Sequence, residues 1–223
     1  MQVSKSLRGF ILLEAAFVYF IILIIVICSG DIVDLGRTVP ERMMLLTGVY
    51  VGMAGAAILV FYSGKWGKNT LGFSRKHIGK QVLIGLGLFA LTFCTGVLLP
   101  LLLGEKSMAL NWKAPTVPIL LFYIVFDIVC VGFGEELIFR GYFFERLRIV
   151  FGSSWLVVGI SALLFGLYHY PGSLHMSNVI STGVLGAVYA LFRWKIKDCT
   201  LLSLGLAHGL HDGLIMVLSY YML

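Results

Sequence analysis

The sequence predicts an all-α fold, a polytopic membrane bundle of about seven (6–8) transmembrane helices. Of its 223 residues, 59% are hydrophobic and 13% are charged. The mean hydropathy of +0.96 lies far above that of soluble domains. Apolar runs long enough to cross a bilayer alternate with short connections that carry the Lys and Arg residues. We therefore expect a single integral membrane domain over residues 1–223.

The charge and the cysteines exclude several other classes of protein. The net charge of +6 comes from residues in the loops, and no nucleic-acid recognition motif accompanies it, so we expect no nucleic-acid partner. The four cysteines are scattered and form no C-x-x-C pair. Disulfides and thiolate metal sites are therefore not expected, and the cysteines are interpreted as small packing residues.

The predicted spans follow from the apolar runs and the turn residues between them. They cover, in chain order, residues 10–28, 43–62, 82–103, 117–150, 155–170, 177–192 and 200–222. The first run follows Lys5 and Arg8 like a signal sequence, but it is long for one and is predicted to be a retained span. Gly152-Ser153-Ser154 predicts the turn between spans 4 and 5, and Tyr170-Pro171-Gly172 ends span 5.

The basic residues predict the orientation of the chain. With the N-terminus inside and the C-terminus outside, 13 of the 17 basic residues lie inside, as the positive-inside rule requires. The inside residues are Lys5, Arg8, Lys65, Lys68, Arg75, Lys76, Lys80, Arg140, Arg146, Arg148, Arg193, Lys195 and Lys197. The outside residues are Arg37, Arg42, Lys106 and Lys113.

The most informative stretch is Gly134-Glu135-Glu136-Leu137-Ile138-Phe139-Arg140, where two adjacent carboxylates follow an apolar run. A charged side chain in hydrocarbon is costly and is rarely kept there without a function. Glu136 and Arg140 lie one helical turn apart, in the favourable order for an ion pair. Glu135 points to a different face, away from this pair, and is therefore the carboxylate predicted to be catalytic. The alternative is an ordinary helix end with a surface salt bridge.

Two further polar groups interrupt the apolar spans downstream. His169 lies at the end of the fifth span, and the last span contains His208, His211 and Asp212. At about 1.5 Å per residue, Glu135 and His169 lie at nearly equal distances from the turn between their spans. His208 reaches the same predicted depth if that hairpin projects into the cytoplasm. His208 and Asp212 share one helix face, and His211 borders it.

Such a cluster is suited to the activation of water. A carboxylate held away from bulk water is a better general base, and a facing histidine can hold the water and share its proton. A second histidine and an aspartate can orient an oxyanion or donate to it. Together these groups predict the hydrolysis of an amide in a sheltered cavity.

Each polar residue also has a structural interpretation. A lone histidine in a membrane helix often donates a hydrogen bond between helices, which is the alternative for His169 and the favoured interpretation of His211. Asp127 and Glu14 are interpreted as partners of loop or helix cations. The glycines of residues 183–186 and 205–213 are interpreted as sites of close helix contact. Three polar clusters at one predicted depth favour a common functional site.

The three motifs resemble the signature of the CPBP family, which comprises the type II CAAX prenyl endopeptidases and bacterial Abi-type proteins. The matching residues are Glu135-Glu136-x-x-x-Arg140, Phe165-x-x-x-His169 and His208-x-x-x-Asp212. The resemblance covers residues 117–222 as a catalytic core and implies an intramembrane protease. It implies that Glu135 activates water with His169 beside it, and that His208 and Asp212 form the oxyanion side. The supporting residues would be Glu136, Arg140, Phe165 and His211.

The sequence leaves two points of mechanism open. The third motif of the family usually ends in Asn, and a carboxylate cannot donate to an oxyanion unless it is protonated, so Asp212 is expected either there or as the group that orients His208. Zinc is the second open point, because Glu135, His169 and His208 would form a catalytic zinc set. No H-E-x-x-H pattern occurs, and we favour a metal-free glutamate mechanism without a cofactor.

The predicted partners are the lipid bilayer and a substrate that is a peptide or membrane-protein segment, prenylated or not. One alternative function is a non-catalytic bacteriocin-immunity or binding protein. Another is a small proton-coupled transporter that uses Glu135 and the histidines as a relay, although no inverted repeat supports it. The compact loops predict a prokaryotic protein of the cytoplasmic membrane. The sequence does not predict the oligomeric state.

Overall fold

The computed structural model describes residues 4–63, 71–105, 110, 113–152 and 155–223. Over these residues the fold is all-helical, without strands. The helices are α1 (Lys5–Asp34), α2 (Val39–Ser63), α3 (Ile78–Leu102), α4 (Val117–Phe151), α5 (Trp155–Ser173), α6 (Met176–Lys195) and α7 (Leu201–Met222). The predicted all-α membrane fold is confirmed, and each predicted span falls on one helix.

Six of the seven described helices are long and apolar enough to cross a bilayer, which makes this a multi-pass membrane protein. Helix α6 is not among the six helices that are apolar enough to cross a bilayer. Its 20 residues include the polar Ser177 and Asn178 near the start and Arg193 and Lys195 in the last turn. These residues lower its hydropathy, so the predicted sixth span stays a prediction.

Some predicted loop features fall outside the described residues. They are the turn residues Ser153 and Ser154 and the basic residues Lys65, Lys68 and Lys106. The described part of that turn, Gly152, directly follows α4 with a φ of +75°. This left-handed backbone favours glycine, so the predicted helix end at this point is confirmed.

The described contacts divide the chain into two compact units. The first unit comprises Met1–Gly72 and Leu137–Ile196, and therefore contains α1, α2, α5, α6 and the second part of α4. The second unit comprises Phe73–Glu136 and Lys197–Leu223, and contains α3, the first part of α4 and α7. The single membrane domain stays a prediction.

The first unit is built around a buried ion pair between α1 and α4. Arg146 Nε donates to Glu14 Oε1 at 2.8 Å, and Tyr142 Oη donates to the same oxygen at 3.0 Å. Arg146 Nη2 also donates to the carbonyl of Phe61 near the end of α2, at 3.2 Å. The interpretation of Glu14 as the partner of a cation is confirmed.

The second unit depends on a close approach between α4 and α7. A Cβ atom added to Gly132 of α4 would lie 2.5 Å from the backbone nitrogen of Gly209. A Cβ atom added to Gly209 would lie 2.5 Å from the Cα atom of Ile128. Only glycine permits this separation, so the prediction that residues 205–213 allow close helix contact is confirmed.

A buried amide fixes the start of α7 against α3. Gln81 is fully buried, and its Nε2 donates to the carbonyl of Ser74 in the preceding loop at 3.1 Å. Its Oε1 accepts from Thr200 Oγ1, and its backbone carbonyl accepts from Ser203 Oγ at 2.8 Å. Thr200 and Ser203 also form the capping box of α7. These bonds set the height of α7, and with it the position of His208.

Candidate active site

The two adjacent glutamates lie on a short α-helical step between two π-helical stretches of α4. The backbone is π-helical over Asp127–Phe133 and Leu137–Phe143, and α-helical over Gly134–Glu136. Both carboxylates are buried, with Glu135 2% and Glu136 0% exposed. Single π turns are often found at functional sites. The i→i+5 hydrogen bonds of a π-helix widen the turn, so the side chains of α4 project in different directions from those of a regular α-helix.

The second glutamate binds a histidine of the last helix. Glu136 Oε1 lies 3.1 Å from Nδ1 of His208, whose side chain is 3% exposed. The glycine contact between Gly132 and Gly209 brings the two helices close enough for this bond. The sequence did not predict this partner for Glu136.

The same histidine reaches a second carboxylate through its other nitrogen. Nε2 of His208 lies 3.3 Å from Oδ2 of Asp212, one turn along α7. The predicted common face of His208 and Asp212 is therefore confirmed. Each of the two hydrogen bonds contains one proton, carried by the nitrogen or by the carboxyl group. The three side chains therefore form the chain Glu136–His208–Asp212, in which each ring nitrogen of His208 faces a carboxyl group.

The histidine of the second motif, in the first unit, has a defined tautomer. His169 Nδ1 lies 2.8 Å from the backbone carbonyl of Phe165. A carbonyl oxygen can only accept, so Nδ1 carries the hydrogen and donates it. The neutral ring therefore has its lone pair on Nε2. The Phe165 ring packs edge-on against the imidazole at 4.7 Å and fixes its plane.

The arginine of the first motif is buried within the first unit. Arg140 is 0% exposed, and its Nη2 donates to the carbonyl of Gly186 in α6 at 2.8 Å. Its guanidinium lies over the Phe165 ring, 4.3 Å from the centroid. These contacts join α4, α5 and α6, and they favour a supporting role. The predicted ion pair of Arg140 with Glu136 stays a prediction.

Two more titratable groups lie near the histidine chain in the second unit. His211 is 7% exposed and packs against the ring of Phe93 at 6.0 Å between centroids. This contact supports the structural interpretation of His211. Asp127 is 8% exposed and interacts electrostatically with Asp212 and His208. Sequence reasoning did not assign Asp127 to the site, because its only signal was a carboxylate in an apolar run.

The structure thus distributes the predicted site residues over the two units. The second unit holds Glu135, Glu136, His208, His211 and Asp212, and the first unit holds Arg140, Phe165 and His169. Within the second unit, Glu136, His208 and Asp212 are bonded to one another. Within the first unit, Arg140 and His169 both contact Phe165.

The described residues do not fit the zinc set that the sequence left open. Both ring nitrogens of His208 are bonded to carboxylates, so neither lone pair is presented to a metal. No group of three or more His, Cys, Asp and Glu side chains in the described part of the chain is placed to hold a metal ion. The metal-free mechanism stays a prediction.

Comparison with known proteins agrees with the motifs. The family described as type II CAAX prenyl endopeptidase Rce1-like matches residues 117–214, slightly less than half of the chain. The matched range contains all three motifs. No curated protein and no solved structure gives a match.

Proposed function

Since residues 117–214 form an Rce1-like domain of the type II CAAX prenyl endopeptidase family, we propose that this protein is an intramembrane endopeptidase. It hydrolyses a peptide bond in a membrane-associated peptide or protein segment, and the family name makes prenylated tails the first substrates to test. The observation that supports this proposal most directly is the chain Glu136–His208–Asp212, which is buried at Glu136 and His208 and begins at the residue next to Glu135.

Glu135 is the general base in this proposal. Its carboxylate takes a proton from water, and the water oxygen attacks the carbonyl carbon of the scissile amide while the C=O electron pair moves onto oxygen. The C–N bond then breaks, and the proton passes from Glu135 to the leaving nitrogen. Water and the amide become a carboxylic acid and an amine. The burial of Glu135 supports this role, because a carboxylate removed from bulk water is a stronger base.

The histidine chain forms the oxyanion side. Glu136 holds His208 through Nδ1, which fixes the orientation of the ring as the carboxylate of a catalytic triad does. Asp212 is the most accessible member of the chain, with 29% of its side chain exposed. The substrate oxygen is therefore expected at the Asp212 end, where Nε2 of His208 becomes a donor to the oxyanion when it exchanges its bond to Asp212 for one to the substrate.

The role of His169 is taken from its motif. Because Nδ1 donates to Phe165, Nε2 is the atom that can accept a proton from water or hold the water as Glu135 acts. His169 therefore serves as a second proton acceptor in the proposed reaction.

Cleavage of a quenched fluorogenic peptide library by the detergent-purified protein tests the proposed function. The wild type is compared with Glu135→Ala, His169→Ala and the exposed control Glu105→Ala, with and without chelator, and with zinc restored. We expect cleavage by the wild type and the control only, unaffected by the chelator. A fully active Glu135→Ala protein would overturn the assignment, and activity that requires added zinc would overturn the metal-free mechanism. Proton-coupled flux into proteoliposomes without cleavage would favour the transporter.

The location and orientation belong to the same proposal. The protein lies in the cytoplasmic membrane of a prokaryotic cell, with its N-terminus inside and its C-terminus outside. The distribution of the basic residues supports this orientation.

A further inference from the structure

A cluster of aromatic and basic side chains lies at one end of the first unit, where α4 and α6 end and α5 begins. This Trp–Lys cluster comprises Arg148 near the end of α4, Trp155 at the start of α5, and Arg193, Trp194 and Lys195 in the last turn of α6. The proposed cleavage reaction uses none of these residues. Their contacts and charges indicate what this end of the unit can bind.

The two tryptophans hold the lysine in a defined position. The rings of Trp155 and Trp194 meet edge-to-face, with 5.1 Å between their centroids. Lys195 Nζ lies 3.6 Å from the centroid of the Trp194 ring and 5.7 Å from that of Trp155, within the range of a cation–π interaction. Trp194 also packs against a buried core that includes Phe144 and Val157. This core fixes Trp194, and the two rings in turn fix the Lys195 ammonium group.

The Trp–Lys cluster carries an excess of positive charge. The buried carboxylate of Glu145 accepts hydrogen bonds from Arg148 Nη1 at 3.1 Å and from Arg193 Nη2 at 3.0 Å. One carboxylate balances only one of the three cations of the cluster, so two positive charges remain. Lys195 is exposed, and 41% of the Arg148 side chain is exposed. Both cations can therefore reach an anion outside the protein.

Exposed apolar side chains directly follow or precede the residues of the cluster. Phe151 is 40% exposed, Leu156 53% and Ile196 41%, and the ring of Trp155 itself is 66% exposed. Tryptophan rings favour the boundary between the acyl chains and the headgroups of a bilayer, and Lys and Arg at that level attract anionic headgroups. A soluble anion would use the charges alone, whereas a phospholipid uses the charges, the rings and the apolar side chains together.

We propose that the Trp–Lys cluster binds the headgroup of an anionic phospholipid. The ammonium group of Lys195 and the guanidinium of Arg148 donate to the phosphate oxygens, and the acyl chains lie along the exposed apolar side chains. The bound lipid contacts the ends of α4, α5 and α6 together, so it stabilises the first unit. In the proposed orientation the site lies in the cytoplasmic leaflet. This inference goes beyond the proposed function and does not depend on peptide cleavage.

Native mass spectrometry of the detergent-purified full chain tests the site with phosphatidylglycerol and phosphatidylcholine of the same acyl chains. The wild type should bind the anionic lipid more tightly than the zwitterionic one. Lys195→Gln should bind phosphatidylglycerol about fivefold more weakly, the usual effect of one cation near a membrane surface. Lys195→Arg, which keeps the charge, and Arg8→Gln, at an exposed cation of α1, should bind it like the wild type. Equal affinities of the wild type for the two lipids, or equal losses in Lys195→Gln and Arg8→Gln, would overturn the proposal.

A competition experiment and a thermal measurement distinguish a lipid from a soluble anion. Glycerol 3-phosphate has a phosphate group without acyl chains, and an excess of it should leave phosphatidylglycerol bound; displacement of the lipid would overturn its assignment as the ligand. A ligand that binds only the folded state stabilises it, so phosphatidylglycerol should raise the Tm of the wild type more than phosphatidylcholine does. Lys195→Gln should keep the wild-type Tm without lipid and lose most of this difference. A difference between the two lipids that is unchanged in Lys195→Gln would overturn the proposal.

Discussion

At the scale of single residues, the site depends on a histidine whose two ring nitrogens both bond to carboxylates. Glu136 is fully buried and His208 nearly so, and each compensates the polarity of the other. Burial of a carboxylate and a histidine costs desolvation free energy. Removal of one partner costs more, because the other polar group is then left buried without its hydrogen bond. His208 should therefore contribute to folding as well as to chemistry.

Replacing His208 with alanine tests this double role. The change leaves the buried carboxylate of Glu136 without the histidine, and the expected cost is about 3–5 kcal/mol of stability. Thermal unfolding in detergent should show a clearly lower Tm, with no cleavage at any temperature. His175→Ala, at an exposed histidine, is the control and should keep the wild-type Tm. Equal Tm values for the two variants would contradict the role of His208.

The contact between His208 and Asp212 could be predicted from the sequence, and the reason is the spacing of the two residues. His208 and Asp212 are four residues apart on a regular helix, so their contact follows from the helical repeat. The bond between Glu136 and His208 could not be predicted, because it depends on the rotation of α4 against α7. The π-helical stretches change that rotation, and the sequence has no clear signal for them.

At the scale of helices, the glycine contact between α4 and α7 positions the histidine chain. The backbones approach so closely at Gly132 and Gly209 that a methyl group on either would meet backbone atoms. The glycine runs predict close packing of helices in general. They do not predict that Gly132 and Ile128 of α4 are the residues that contact Gly209 of α7.

A methyl group at this contact should separate the two helices. Gly209→Ala places Cβ against the backbone of Ile128, which cannot move aside as a side chain can, and the expected cost is about 1–3 kcal/mol. The cleavage rate should fall by more than the loss of stability alone explains, because the hydrogen bond between Glu136 and His208 lengthens. Gly87→Ala on α3 meets no atom within 4 Å and serves as the matched control. Wild-type activity in Gly209→Ala would contradict this account of the contact.

The connection before α7 gives a prediction about pH. The hydrogen bond from Lys80, at 2.9 Å, together with His77, lowers the pKa of Asp198 from its ordinary value. The stabilisation that ionised Asp198 gains from Lys80 and His77 is therefore fully present above pH 3.8. It is lost as the pH falls through the lowered pKa of Asp198. Asp198→Asn should have a slightly lower Tm than the wild type at pH 7, and the difference should shrink below pH 3.8. A Tm difference that does not vary with pH would contradict the prediction.

At the scale of the whole molecule, the number of membrane crossings determines the side on which the chain ends. Composition and the apolar runs predicted the helices, because a bilayer demands about 20 apolar residues per span. For helix α6 this rule does not decide whether the helix crosses the bilayer, since α6 is long enough but carries polar residues near both ends. Six crossings would put both termini on one side, whereas seven would separate them.

Reporter fusions at residue 223 and after residue 63 test the orientation. Seven crossings with the N-terminus inside predict an external reporter at the C-terminus and an internal one after α2, because the basic residues then lie inside. A reporter at the C-terminus that is active only in the cytoplasm would contradict the predicted topology and would indicate that α6 does not cross.

Single-turnover cleavage by Glu135→Gln, with its Tm measured beside it, tests whether Glu135 is the catalytic base. The amide keeps the shape of the side chain and removes the base. If Glu135 activates water, the rate constant should fall by about 10²–10⁴-fold, the usual contribution of a general base, and the Tm should stay at or above that of the wild type. An unchanged rate constant in the folded variant would contradict the claim that Glu135 is the catalytic base.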